Sequence, residues 1–178
     1  MAEISLPSPV KLIIAVLWSN GVIREQILAE LQTFWGIADY QGADHLFDVT
    51  DYYEPEMGSS LYRRLISFEN LVQPDSLAGL KLKTNEIELR HVSSTGRLAN
   101  LDIGYLDHNK LVLASAKAAG QKIYIGQGMY ADLIARFGHG NYQPFEWTFI
   151  DFKDGRYNKE LNQIRDIYLS QLKKIKDS

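Results

Sequence analysis

The sequence predicts an α+β fold in which a ferredoxin-like β-α-β-β-α-β core is extended by an antiparallel β meander and a C-terminal helix. A near-continuous apolar run at residues 11–18 is typical of a buried central strand. Two segments with helical spacing of apolar residues alternate with strand-like runs up to residue 106. Short extended runs separated by glycines follow in residues 107–150, a spacing that favours a meander.

The first half of the chain is expected to form the core. Its predicted elements are a strand at 11–18, a helix at 21–35, strands at 43–50 and 61–69, a second helix opened by Pro74, and a strand at 97–106. Apolar residues recur every three or four positions in both helices, at Ile23, Ile27, Leu31 and Phe34 and at Leu77, Leu80, Thr84 and Ile87. Ser19 or Asn20 is the expected N-cap of the first helix.

The second half is predicted to extend the sheet. Its expected strands are at 111–115, 122–125, 129–137 and 142–149. Residues 108–119 are open to a short helix as an alternative, although a strand is preferred. A final helix at 157–175 has an apolar seam, which should pack on a face or edge of the sheet left uncovered; the seam comprises Leu161, Ile164, Tyr168, Leu172 and Ile175.

Composition and charge narrow the class of protein. The 178 residues suit a single domain over 1–178, and the absence of cysteine excludes disulfides and cysteine catalysis. With 19 basic and 22 acidic residues the net charge is −3, which disfavours a nucleic-acid partner. The longest apolar run, Leu12 to Trp18, is too short to cross a membrane, and Met1 to Lys11 lacks the features of a signal peptide. We therefore expect a cytoplasmic protein, and a homo-oligomer stays open.

Strong chemical signatures are missing from the sequence. There is no phosphate-binding GxxxxGK[ST] loop, no GxGxxG after a strand, and no HExxH or GxSxG motif. The four histidines lie far apart without the spacing of metal ligands. We therefore predict neither a metal nor a cofactor.

The first polar cluster is the loop at residues 51–58. It combines three carboxylates with Tyr52 and Tyr53 directly after a predicted strand, where loops often carry function. Such a loop suits a cation, a hydroxyl-rich ligand or an amine. The alternative is a solvated turn whose tyrosine pair packs on the core.

The second cluster is the pair Arg63 and Arg64. Neighbouring residues on a strand face opposite ways, so one arginine should point into covered space and need a carboxylate there. Pairing with the 51–56 loop is the simplest structural explanation, and anion binding is the functional one.

Two alternating strands supply the third cluster. Asn100, Asp102 and Gly104 share one face of the strand at 97–106. On the strand at 129–137, a core face is expected at Met129, Ala131, Leu133, Ala135 and Phe137, with Tyr130, Asp132 and Arg136 opposite and Ile134 as the exception. In one sheet these polar faces would form a wall. The alternative is an ordinary half-solvated sheet.

These clusters predict a small-molecule enzyme or binding protein with an anionic ligand, phosphate-bearing ligands included. Asp102 and Asp132 are the candidate catalytic acid and base. The candidate ligand-binding residues are Tyr53, Glu56, Arg64, Asn100, Tyr105, Lys110, Lys117, Tyr130 and Arg136. An RNA-binding or RNA-processing module and a scaffold that dimerises through the last helix are the alternatives.

The sequence resembles the uncharacterised prokaryotic family known as domain of unknown function 4416. The resembling segments are TDYYEPEMG (50–58), RRLISFENL (63–71), KLKTNEIE (81–88), GRLANLDIGYL (96–106), KLVLASAK (110–117), IYIGQGMYAD (123–132) and WTFIDFK (147–153). Ile103 and Ile150 stand where the family pattern has proline. The resemblance implies no known activity, but it implies that the polar clusters belong to a shared pattern.

Overall fold

The apolar run near the start of the chain forms an interior strand, as predicted. The structure is a computed structural model that describes residues 3–19 and 21–177. Strand β1 (Val10–Trp18) is buried along its whole length because it has a neighbouring strand on each side and apolar layers on both faces. The expected cap at Asn20 lies outside the described residues, as do Met1, Ala2 and Ser178 of the predicted domain.

One antiparallel sheet contains all the strands that follow β1. These are β2 (Ala38–Gln41), β3 (His45–Leu46), β4 (Tyr62–Val72), β5 (Ala99–Leu106), β6 (Lys110–Ser115), β7 (Ile123–Gly126), β8 (Met129–Gly138) and β9 (Asn141–Pro144). Their spatial order is β2-β4-β1-β5-β6-β8-β7, with β3 also paired to β4 and β9 to β8. The predicted α+β class with an extended antiparallel sheet is confirmed.

Helices pack on both faces of this sheet. They are α1 (Gly21–Trp35), α2 (Glu54–Met57), α3 (Leu77–Arg90), which a 3₁₀ turn at Pro74–Ser76 precedes, α4 (Ile150–Lys153) and α5 (Asn158–Lys176). Helices α1 and α3 cover what we call the first face, where Ile27 and Ile87 belong to the same apolar cluster as Leu12, Ile14, Val16 and Trp18 of β1. Helix α5 covers the second face. In the described part of the chain, no helix is long and apolar enough to span a membrane.

The predicted docking of the last helix is confirmed. Leu161, Ile164 and Tyr168 are buried against Ile13 and Leu65 of the sheet. Ile175, at the end of the predicted seam, is half exposed. The seam therefore ends one turn before the helix does.

Two predicted strands have the wrong extent. The strand expected at 43–50 is replaced by β2 and β3, because the Glu160 carboxylate accepts the Ala43 N–H at 3.0 Å and interrupts the pairing with β4. The strand expected at 142–149 ends at Pro144. There Thr148 and Phe145 close a turn through reciprocal hydrogen bonds of 3.1 and 3.2 Å, which leads into α4. The preference for a strand within 108–119 is confirmed by β6.

A β-bulge changes the side of the sheet on which the end of β8 presents its side chains. Val112 pairs with Leu133 and Leu111 pairs with Ala135, so Ile134 is an extra residue. Ile134 and Ala135 both pack in the second-face core. The predicted alternation through residue 137 is therefore wrong beyond Leu133.

The sheet opens between β5 and β6. Their paired register covers only Gly104–Leu106 with Leu111–Leu113, at one end of both strands. Gly104 allows the close contact at the last pair, since a Cβ there would lie 2.0 Å from the carbonyl oxygen of Val112. Beyond this pair, the backbone of β5 needs other hydrogen-bonding partners.

Candidate functional site

A cleft lies where β5 and β6 separate. Its aromatic part, of about 480 Å³, is lined mainly by Phe47, Val49, Tyr52, Tyr53, Trp147, Phe149 and Ile150, with Arg63 and Asp151. Its polar part, of about 240 Å³, is lined by Lys81, Asn85, Glu88, Arg97, Asn100, Ser115, Lys122 and Asp132, among others. Tyr52, Tyr53, Asp102, Lys117 and Phe149 line both parts. The two parts therefore form one continuous cleft.

Two side chains of α3 replace β6 as partners of β5. The Leu101 N–H donates to the Glu88 carboxylate at 2.6 Å, and the Lys81 ammonium donates to the Leu101 carbonyl at 2.9 Å. Both side chains are nearly buried, so the backbone groups that they satisfy would otherwise be orphaned. Charged groups of a first-face helix thereby reach the polar part of the cleft.

Arg97 closes one end of the polar part. It donates to Glu88 and to the side-chain oxygen of Asn100, at 2.9 Å each. Glu56 binds the other edge of the same guanidinium in a bidentate pair. This pair, together with Glu88, raises the pKa of Arg97. Arg97 is therefore held as a fixed cation.

Lys122 and Asp132 form the opposite wall of the polar part. The Lys122 ammonium lies 3.3 Å from the Asp132 carboxylate and donates to the Ser115 hydroxyl at 2.9 Å. Asp132 is buried, and its Oδ1 has no hydrogen-bonding partner in the described part of the chain. One carboxylate oxygen is thus engaged, and the other is buried without a hydrogen-bonding partner among the described residues.

Arg63 joins the sheet to α4 beneath the aromatic part. Its guanidinium donates to Asp151 at 2.6 Å and to Asp102 at 3.0 Å, and it stacks on the Phe47 ring at 4.5 Å. Burial alone would lower the pKa of Arg63, but the two carboxylates more than offset it and raise that pKa. The Tyr157 hydroxyl also donates to Asp151, at 3.0 Å.

Lys117 lies where the two parts of the cleft meet. Its ammonium donates to the Tyr52 hydroxyl at 2.8 Å and lies 4.9 Å from the centre of that ring. In residues 3–19 and 21–177, no carboxylate lies within ion-pair distance of it. The other cleft-lining cations, Arg63, Lys81, Arg97 and Lys122, all have carboxylate partners.

Tyr53 lines the cleft and packs against a small third apolar cluster, formed by Leu17, Phe47, Met57 and Leu61. Its ring packs edge-on against Phe47 and Tyr52. Burial, with a further contribution from the charge of Asp102, raises the pKa of Tyr53 to about 12. The phenol therefore stays neutral at physiological pH.

The structure brings five of the predicted site residues to the cleft. They are Tyr53, Asn100, Asp102, Lys117 and Asp132. Asp102 and Asp132 lie on the same face of the sheet, as the alternation of each strand predicted. Glu56 lies behind Arg97 and positions it from outside. The loop at 51–58 thus meets the two strands at this cleft.

The other predicted site residues lie elsewhere. Arg136 follows the bulge and points away from Asp132, and Tyr105 packs with the first-face core. Arg64 pairs with Asp44, and Lys110 with Asp107, both outside the cleft. Tyr130 packs against the Tyr124 ring near the sheet edge. Alternation along a strand predicts the face on which a side chain lies, but it predicts neither a bulge nor the neighbouring residue that the side chain contacts.

Sequence reasoning missed several cleft residues. The chief omissions are Lys81, Glu88, Arg97, Lys122 and Asp151. Lys81, Thr84 and Glu88 continue the apolar stripe of α3 at helical spacing, so polar residues on a core-facing stripe were the available signal. One arginine of the pair Arg63 and Arg64 was expected to be covered, with the loop at 51–56 as its simplest partner. The covered one is Arg63, and its carboxylates are Asp102 and Asp151.

Comparison with known proteins identifies the family and nothing beyond it. A family model described as domain of unknown function (DUF4416) matches residues 8–168. No curated protein and no solved structure gives a significant match. Within the described residues, no group of three or more histidine, aspartate or glutamate side chains is arranged to hold a metal ion.

Proposed function

Because the chain belongs to the family described as domain of unknown function (DUF4416), whose description assigns no activity, we propose a function from the cleft itself. The protein binds a small anionic ligand between the loop at 51–58 and strands β5 and β6. Lys117 is the primary contact for the negative charge.

The observation that carries this proposal is the absence, in the described part of the chain, of a carboxylate partner for Lys117. Lys117 is the cleft-lining cation without a carboxylate partner among the described residues, and it lies at the junction of both parts. An ammonium held at a concave surface and not neutralised by the protein is suited to an incoming anion.

The balance of charge around the cleft agrees with this role. Its lining contains five cations and four carboxylates, although the chain as a whole has a net charge of −3. The cations are Arg63, Lys81, Arg97, Lys117 and Lys122, and the carboxylates are Glu88, Asp102, Asp132 and Asp151. Glu56, which pairs with Arg97 from behind, brings the carboxylates to five, so the charges balance and Lys117 is the one cation of this set without a carboxylate partner among the described residues.

The rim supplies apolar contacts for the rest of the ligand. Tyr52, Trp147 and Phe149 are each about half exposed or more, although they line a concave surface. Clefts that bind small molecules combine such aromatic walls with a few placed polar groups.

Asp102 and Asp132 have different roles in this proposal. Asp102 is engaged by Arg63, so it positions the arginine and shapes the cleft floor. Asp132 has an unpaired oxygen beside Lys122, which suits it to accept a hydrogen bond or a proton from the ligand. If the ligand is turned over, Asp132 is the group placed to move a proton.

We also propose that residues 11–106 form a ferredoxin-like core. The order β2-β4-β1-β5 and the position of α1 and α3 on one face support this assignment. The RNA-binding alternative receives no support from the sheet, since helices pack on both of its faces. The dimerisation alternative relied on the apolar seam of α5 as the contact surface. That seam packs against the sheet of the same chain, so it does not support dimerisation.

Isothermal titration calorimetry with small organic phosphates and carboxylates tests the proposed function. Lys117→Gln should weaken the affinity for a bound anion at least about tenfold, because it removes the unneutralised charge. Lys173→Gln, which removes the same charge from the exposed end of α5, should leave the affinity unchanged. Equal affinities of the Lys117→Gln variant and the native chain would refute the role of Lys117.

A further inference from the structure

We propose that the ligand is a polyhydroxylated anion, of the sugar phosphate or sugar acid class. This inference rests on the proposed function, that the cleft binds an anion. It adds the chemistry of the uncharged part of the ligand, which the buried polar atoms of the cleft specify.

The polar part contains one unpartnered donor and one unpartnered acceptor. Asn100 and Asp132 are each only 5% exposed and both line the cleft. The Asn100 side-chain oxygen accepts from Arg97, which leaves its Nδ2 as a donor without a protein partner. Asp132 leaves Oδ1 as an acceptor without one.

The aromatic part repeats this arrangement. Arg63 and Asp151 are 2% and 1% exposed, and both line the cleft. The Nε of Arg63 and the Oδ1 of Asp151 lack partners among the described residues. In the described chain, seven buried side-chain polar atoms lack a hydrogen-bonding partner, and four of them belong to cleft-lining residues. Buried polar atoms are rarely left unpaired, so this concentration points to a partner that binds in the cleft.

The unpaired atoms restrict the chemistry of that partner. A phosphate or carboxylate only accepts hydrogen bonds when ionised, and Asp132 would repel it. The negative end of the ligand must therefore lie towards Lys117. A hydroxyl both donates and accepts, so hydroxyls can pair with Asp132 Oδ1 and with Asn100 Nδ2.

The aromatic rim suits the carbon skeleton of such a ligand. Trp147 is 47% exposed, yet its indole N–H is held by the Leu133 carbonyl at 2.9 Å and its ring stacks on Phe145 at 4.9 Å. A fixed, exposed aromatic face attracts the weakly positive C–H groups of a sugar ring. The volumes of about 480 and 240 Å³ accommodate a molecule of this size.

The test compares polyhydroxylated anions with plain alkyl anions of the same carbon number and the same charged group. Calorimetric titrations of the full chain use ribose 5-phosphate against pentyl phosphate, and gluconate against hexanoate. We expect the hydroxylated member of at least one pair to bind at least about tenfold more tightly. The two pairs distinguish phosphate from carboxylate as the charged end.

Site variants show whether the preference arises in the cleft. Asp132→Ala and Asn100→Ala should each weaken the hydroxylated ligand about tenfold more than its plain counterpart, because each removes one unpaired hydrogen-bonding atom. Asn100→Ala serves as the second variant if Asp132→Ala does not fold. Lys117→Gln should weaken both members of a pair alike.

The possible results separate the two proposals. Equal binding within both pairs, with loss of both in Lys117→Gln, overturns the polyhydroxylated class and leaves anion binding intact. A preference that the Asp132 and Asn100 variants do not change also overturns the inference. Absence of binding by all four compounds overturns the proposed function and the inference together.

Discussion

Arg63 reaches Asp102 diagonally across the central strand, and its Nη2 lies 3.0 Å from the Asp102 carboxylate. The two residues belong to β4 and β5, which flank β1 on opposite sides. Ala15, which pairs with Asp102, and Leu17, which pairs with Arg63, are the residues of β1 on this diagonal. A single buried guanidinium thereby connects both neighbours of β1 and positions one wall of the cleft.

Removing this guanidinium should be far more costly than removing that of its neighbour. Arg63→Met leaves Asp151 buried without its cation, so the free energy of unfolding should fall by about 3–5 kcal/mol. Arg64→Met should cost less than about 1 kcal/mol, because its partner Asp44 is partly exposed and retains Arg24. Urea denaturation of both variants measures the difference. Similar losses would mean that Arg63 carries no special structural role.

Gly104 should tolerate no side chain. The Cβ of Gly104→Ala would meet backbone atoms of Val112 and Leu113, so β5 and β6 must move apart where the cleft begins. We expect a loss of at least about 3 kcal/mol of unfolding free energy. Gly79→Ala, on α3 with open space around it, should instead stabilise by up to about 1 kcal/mol. A neutral Gly104→Ala would disprove the close contact.

The docking of α5 predicts position-specific effects of a charge. Leu161→Asp and Ile164→Asp place an unpaired carboxylate in the second-face core, so each should lower the unfolding free energy by a few kcal/mol. Ser170→Asp, on the exposed side of the same helix, should change it by less than about 0.5 kcal/mol. Thermal melts monitored by circular dichroism provide the measurement, and unchanged melting temperatures at both core positions would contradict docking.

Tyr53 should make stability depend on pH in the alkaline range. Its pKa is about 12 in the folded chain, against about 10 in an unfolded one, so folding favours the neutral phenol. Its contribution is complete below pH 10 and declines as the pH rises towards 12. The stability of the native chain relative to Tyr53→Phe should fall by about 1 kcal/mol between pH 9 and 11. Parallel pH profiles of the two proteins would show that Tyr53 has no raised pKa.

Trp147 should report on ligand binding by fluorescence. Trp18 and Trp35 are 3% and 8% exposed, whereas Trp147 lies half exposed at the cleft rim. Acrylamide should therefore quench mainly Trp147, and Trp147→Phe should remove most of the quenchable emission. A ligand that packs on the rim should protect this fraction. Quenching that persists in Trp147→Phe would indicate that another tryptophan is accessible.

Periodicity predicted the elements that bury apolar surface, and it failed where polar side chains took over backbone pairing. β1 and α5 were placed correctly because each presents its own continuous apolar pattern. The strand predicted at 43–50 failed because Glu160, more than a hundred residues away, accepts the Ala43 N–H that a longer strand would use for pairing. A contact between residues so far apart in the sequence leaves no signal in the local pattern of apolar and polar residues.

The candidate site shows the same division between local and long-range information. Asn100, Asp102 and Asp132 follow from alternation along single strands, and the structure places all three at the cleft. Arg136 failed because Ile134 forms a bulge, although its apolar side chain on the polar face of the predicted strand was a visible irregularity. Lys81 and Glu88 required knowledge that β5 and β6 separate, which depends on three-dimensional packing.

The separation of β5 from β6 gives this sheet an edge in its interior as well as at its borders. Exposed strand edges recruit foreign strands, and proteins commonly protect outer edges with charged side chains. Here Glu88 and Lys81 hold the N–H and carbonyl of Leu101 and so block that edge from within. Without either side chain, the unpaired backbone of Leu101 could pair with an extended peptide from another chain. We therefore expect variants at Lys81 or Glu88 to aggregate.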